Sequence, residues 1–126
     1  MPSKFTDLRV YQLAEELADL IWTVVVPWDS FSKDVVGKQL CRAADSIGAN
    51  IAEGVGKKSY PEQRRFTLIA RGSMYETQHW LRRAFRRGLL NQDQIGGVKQ
   101  RLDSLAPQLN NYLKYLAKKV RERKPA

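Results

Sequence analysis

The stretch Glu76-Thr77-Gln78-His79 sets a carboxylate and an imidazole three residues apart, the spacing of a metal-binding helix. Bundle metal centres repeat that pair on facing helices. Here it occurs once, and His79 is the only histidine. Glu53 is the second carboxylate that a folded chain could bring to Glu76 for acid–base or metal chemistry. A nucleophilic centre would need the same His79 to activate Cys41 or a serine, and no spacing sets either beside it. Gly96-Gly97 lies inside an apolar-periodic stretch, and Lys57-Lys58 after Gly54 and Gly56 is a weak phosphate cradle. The expectation is therefore no catalytic residue, no metal and no cofactor: a non-enzymatic protein.

Arginine offers different chemistry. At about 100° per residue, with Arg64 at zero, Arg65, Arg71, Arg82, Arg83, Arg86 and Arg87 join Arg64 in one arc centred near 50°. On the same wheel Phe66, Ala70, Ser73, Thr77, Trp80, Leu81 and Ala84 centre near 210°, almost opposite. Tyr75 and Leu68 fall inside the arginine arc. Guanidinium forks grip phosphate oxygens in pairs, and aromatic rings stack on unpaired bases. Lys114, Lys118, Lys119, Arg121, Arg123 and Lys124 carry the positive charge along the last helix. Three uses stay open for this face: a solvated surface, a contact between subunits in which the arginines meet Glu15, Glu16 and Asp19 of a neighbour, and a nucleic-acid site.

A third group is polar where a core is expected. Arg42, Ser46, Asn50 and Glu53 recur at helical spacing among small residues, and Gly72, Ser73, Glu76 and Thr77 are their counterparts further on. Small residues let helices approach closely, and buried polar groups must then pair, because an unsatisfied one costs ~1–3 kcal/mol. The reading is an interhelical network of Asn50, Ser73 and Glu76, with Arg42 or Glu53 joining it.

Four helices would position these groups. The first spans about residues 6–26, capped by Thr6 and Asp7, with Tyr11, Ala14, Leu17, Ile21 and Val24 as its stripe and Pro27 as its end. The second spans about 34–55, with Val36, Leu40, Ala43, Ile47 and Gly54 on one face and Gly48 as a weak point. The third spans about 60–87. Ser59-Tyr60-Pro61-Glu62 reads as its capping box and Gly88 as its stop. The fourth spans about 91–121. Ile95, Val98, Leu102, Leu105, Leu109, Tyr112 and Leu116 form a heptad seam, with a kink expected at Pro107 and a frayed tail over 122–126. Short connections make this an all-α, antiparallel, up-down-up-down four-helix bundle, read as one domain over 1–126.

Charge divides along the chain. The net charge is +9 over 126 residues; residues 1–56 hold 5 Lys/Arg against 8 Asp/Glu, and residues 57–126 hold 17 against 5. Such asymmetry points to an anionic partner or to contact between subunits. The most apolar stretch, residues 20–28, is far shorter than the roughly 20 residues of a spanning helix. The first residues lack a basic run followed by an apolar one, so no signal peptide is expected. With Cys41 the only cysteine and read as a small buried hydrophobe, a cytoplasmic setting is the default.

Three stretches carry a resemblance: Phe5-Thr6-Asp7-Leu8-Arg9-Val10-Tyr11; residues 42–54, ending Ala49-Asn50-Ile51-Ala52-Glu53-Gly54; and Phe66-Thr67-Leu68-Ile69-Ala70-Arg71-Gly72-Ser73 with Glu76. Across roughly residues 5–119 the chain resembles the bacterial four-helix-bundle proteins also called 23S rRNA intervening-sequence proteins. Gly48 departs from the proline usual there. The resemblance implies a bundle similar in fold to accessory proteins of diversity-generating retroelements, a basic homopentameric ring, and RNA contact through genes within large-subunit rRNA insertions. It brings no catalytic residue, and it leaves Asn50, Glu53, Ser73 and Glu76 a structural role. The function expected is an oligomeric, basic protein that binds nucleic acid, RNA before DNA. The alternative is a protein-interaction scaffold with no nucleic-acid contact.

Overall fold

The computed structural model describes residues 4–123. Among them every regular element is helical: a 3-10 turn (Phe5–Asp7), then α1 (Arg9–Val25), α2 (Lys38–Val55), α3 (Tyr60–Arg86) and α4 (Gln92–Glu122). A short turn (Ser30–Ser32) and a π-helical segment (Lys33–Gly37) lead without a break into α2. Consecutive helices pack side by side and α4 closes against α1, so α1 lies diagonal to α3 in an up-down bundle. Leu17, Ile21, Leu40, Ile47, Ile51, Leu105, Leu109 and Leu116 are fully buried at the centre.

Several helix ends differ from the sequence reading. Thr6 and Asp7 belong to the 3-10 turn, and α1 starts at Arg9 with no side-chain cap. The Gln12 amide instead donates to the Thr6 carbonyl at 3.0 Å. The run into α2 begins earlier than expected, because Asp29 accepts from the Ser32 backbone N–H and its hydroxyl, both at 2.9 Å. Those bonds, the backbone one foremost, hold the Asp29 carboxyl below the usual carboxylate range. At α3 only half of the capping box forms. Ser59 accepts from Glu62 N–H at 3.3 Å, while the Glu62 carboxylate turns to Arg65 at 2.6 Å. A charge-assisted pair outcompetes a lone backbone donor. The complete box caps α4, between Asn91 and Gln94.

Gly88, at φ 70°, ends α3 as expected. Leu89 N–H reaches back to Ala84 O at 2.9 Å and Gly88 N–H to Phe85 O at 3.1 Å, the paired bonds of a Schellman motif. α4 runs through Pro107 as one helix and on to Glu122, one residue past the expected end. Arg123 lies 5.6 Å over the Tyr60 ring. Lys124, Pro125 and Ala126 fall outside the described residues, as do residues 1–3.

Two glycines mark close packing. A Cβ on Gly54 would stand 3.2 Å from both Gln63 O and Phe66 Cβ, so α2 and α3 nearly touch there. A Cβ on Gly37 would stand 2.7 Å from Val25 Cγ1. Gly72, by contrast, faces open space. Gly37→Ala should therefore lower stability by about 1–2 kcal/mol through overpacking. Gly72→Ala should raise it by about 0.5–1 kcal/mol through helix propensity. Urea melts of the two variants check the opposite signs, and equal shifts would refute the packing assigned to Gly37.

Candidate nucleic-acid interface

The inner face of α3 is Thr67, Ala70, Met74, Thr77, Leu81 and Ala84. Relative to the sequence reading it is turned by about 40°. Phe66, Ser73 and Trp80 become half-buried flanks, and Thr67 and Met74 take central places. Two buried threonines fit because each bonds within its own helix: Thr67 donates to Gln63 O and Thr77 to Ser73 O, both at 2.8 Å.

The rotation leaves the arginines outside. Arg64, Arg65, Arg82, Arg86 and Arg87 are exposed, Arg71 and Arg83 half-exposed, and Tyr75 is 56% exposed among them. Their pairing is uneven. Arg65 is engaged by Glu62 and lies 4.6 Å over the Phe66 ring. Arg71 donates to the Asn110 side chain of α4 at 3.5 Å. Lys118 and Lys119 both lean on Glu122, at 3.9 and 3.5 Å. Among the described residues, Arg64, Arg71, Arg82, Arg83, Arg86 and Arg87 have no carboxylate within ion-pair distance. No carboxylate among the described residues neutralises their charge.

The polar network read between α2 and α3 does not form. Asn50 donates to Ser46 O of its own helix at 2.8 Å, and Glu53 pairs with Lys57 at 3.7 Å. Arg42 and Glu76 are exposed, and Ser73 is half-buried without a bond across the interface. The physical reason is that α2 and α3 meet through small residues that leave no polar gap, so Asn50 and Thr77 bond back along their own helices instead. Among the described residues no buried side-chain nitrogen or oxygen lacks a partner.

His79 and Glu76 share the exposed side of α3, with His79 edge-on to Trp80 at 5.0 Å. Among the described residues, no three His, Cys, Asp or Glu side chains converge to hold a metal ion. Cys41 is half-buried, and burial, then the Asp45 charge, pushes its thiol up.

With this geometry the sequence comparison becomes informative. Residues 6–111 match the family described as 23S rRNA-intervening sequence protein. The chain belongs to that family. Among curated proteins none matches. The family's description associates its members with rRNA, the coarse link that the basic face of α3 makes chemically reasonable. Among the described residues no helix is long and apolar enough to cross a membrane.

This member of the intervening-sequence family also carries a feature that periodicity did not expose. Between α1 and α2 lies a groove floored by Ala14, Ala18, Ala44 and Gly48 and rimmed by Glu15, Asp19 and Asp45. Gly48, where the family resemblance leads one to expect proline, makes room for Tyr11: a Cβ there would meet the ring at 3.3 Å. Tyr11 donates to Glu15 at 3.1 Å. Burial, helped by the Asp19 charge, raises the pKa of Asp45. The pairing of Asp19 with Asp45 across two helices is invisible in either helix alone.

A raised carboxyl pKa means that ionisation of Asp45 works against folding. The stability that goes with the protonated carboxyl is fully present below the unfolded carboxylate pKa and is lost as pH rises through the raised folded value. Asp45→Asn should therefore raise Tm at neutral pH, and the gap should close near about pH 3. Thermal melts at the two pH values decide it: a variant no more stable at neutral pH counts against the like-charge cluster.

Proposed function

We propose that this protein is a non-enzymatic, cytoplasmic nucleic-acid-binding bundle that takes RNA in preference to DNA through the outer face of α3. The observation that carries the reading is the set of six arginines on α3 and its C-cap that have no carboxylate partner among the described residues. Over α3 alone the stripe from Arg64 to Arg86 extends about 33 Å at 1.5 Å per residue. That length matches a run of phosphates rather than one small anion. Membership of a family described by rRNA intervening sequences favours RNA.

A second reading is self-assembly, which the acidic groove between α1 and α2 favours. Arginines of one copy would meet Glu15, Asp19 and Asp45 of the next, and closed repetition gives a ring such as the pentamer implied by the family resemblance. The two uses compete for the same side chains unless different arginines serve each. Arg65, Lys118 and Lys119, already paired within the chain, contribute less to either.

Binding of labelled RNA and DNA of one sequence, titrated with salt, tests the proposal. Affinity should fall steeply with salt, and replacing Arg82, Arg83, Arg86 and Arg87 with glutamine should flatten the log–log slope by about 3 on a single strand. The fold should survive, because all four side chains lie off the core. Salt-independent binding, or none at low salt, rejects the proposal. Light scattering on the same variant reads the second: dissociation of a native oligomer assigns those arginines to subunit contacts.

A further inference from the structure

The end of the bundle where α3 stops and α4 starts exposes unusually large apolar groups. Phe31 is 76% exposed, Trp22 62% and Phe85 51%. Each ring stands at a groove. Phe31 and Val35 share one with Leu89 and Arg87, on the α2 side of α3. Phe85 shares another with Leu90, Ile95 and Arg82, on the α4 side. Trp22 lines a third between α1 and α2 with Val25, Val26 and Lys33. The last turn of α3 thus forms a ridge of unpaired arginines between two aromatic-walled grooves.

Contiguous exposed apolar surface marks a place of interaction. Its occupant is narrowed by charge. Arg82, Arg86, Arg87 and Lys33 have no carboxylate partner among the described residues. Asp103 at the rim is held by Lys99 at 2.9 Å, and Asp34 by Lys38 at 2.8 Å, so the acids nearest the two grooves are paired, while Asp29 and Asp93 at the same end are not paired among the described residues. A partner must offer both anionic groups and flat apolar faces. Single-stranded nucleic acid offers both, with phosphates on one edge and π-faces on the other. A duplex hides its base faces and would leave the rings against solvent.

We propose that this end of the bundle is a single-strand site, in which Phe31 and Phe85 stack on unpaired bases while Arg82, Arg86 and Arg87 hold the phosphates between them. The proposal rests on the nucleic-acid reading above and adds which form of nucleic acid is bound and where. The stacking site moves away from Tyr75, which lies about 15 Å back along α3 at 1.5 Å per residue. Tyr75 is 56% exposed, whereas Phe31 and Phe85 each stand in a groove with apolar neighbours.

The test uses the full chain, a twelve-nucleotide single-stranded RNA and a duplex of the same sequence. Phe31→Leu with Phe85→Leu keeps apolar bulk at two exposed positions but removes the rings. Single-strand affinity should drop about tenfold per ring, with duplex binding and the salt slope unchanged. Phe85→Tyr with Phe31→Tyr should restore it. If the leucine variant binds the single strand as the parent does, while the arginine-to-glutamine variant fails, the stacking site is overturned and the phosphate reading stands. If both variants bind as the parent does, the outer face of α3 is not the binding surface, and the stacking site falls with it. If the leucine variant instead dissociates an oligomer and leaves RNA binding intact, the surface is a subunit or protein contact and the proposal is wrong.

Discussion

The close approach of α2 to α3 decides which way the arginines face. Gly54 lies against the α3 backbone at Gln63, and alanines and threonines rather than leucines line much of the α3 inner face. A helix packed so tightly on one neighbour and seated against α4 on the other has little freedom to turn about its axis. Its outer arc is then set, and that arc holds the basic side chains. Small residues at the contact are thus a condition for the basic surface as well as for the bundle. Larger ones would push α3 outward and roll its arginines toward a neighbouring helix.

That constraint also explains which parts of the fold were legible in the sequence. The four helices follow from apolar repeats, Pro27 and Gly88, because local geometry alone imposes those signals. The early start before α2 escaped notice because Asp29 caps a turn that continues through a π-helical segment, which disturbs the expected period. The α3 capping box was half right for a related reason. The motif fits Ser59 and Glu62, yet Glu62 has a stronger partner one turn on in Arg65. Local rules predict what a residue can do, and competition among its neighbours decides what it does.

The site divides along the same line. The outward set of the arginines was readable because helical periodicity is enough to separate two faces. The polar network was not, since Asn50 and Thr77, like the buried Thr67, have the choice of bonding across the interface or back along their own helix. Periodicity is silent on that choice, and dense packing settles it in favour of the backbone. The acidic groove and the aromatic end of the bundle are products of tertiary structure. Asp19 and Asp45, or Phe31 and Arg87, are distant in sequence and share surroundings only after the helices have paired.

The arginine cluster at the end of α3 can be weighed as a contributor to stability. Arg82 with Arg86 and Arg83 with Arg87 are like charges four residues apart, each pair unfavourable by about 0.2–0.5 kcal/mol. The negative end of the helix dipole offsets this, at roughly 0.3–1 kcal/mol for a cation in the last turn. The two effects nearly cancel, so the cluster neither holds the fold together nor strains it. Its charge is left over: among the described residues no carboxylate stands within ion-pair distance to compensate it. A surface of that kind gains energy only when an anion arrives from outside. The aromatic grooves on either side determine which anion gains most, because charge contacts alone would be equally good on a duplex, a single strand or an acidic protein.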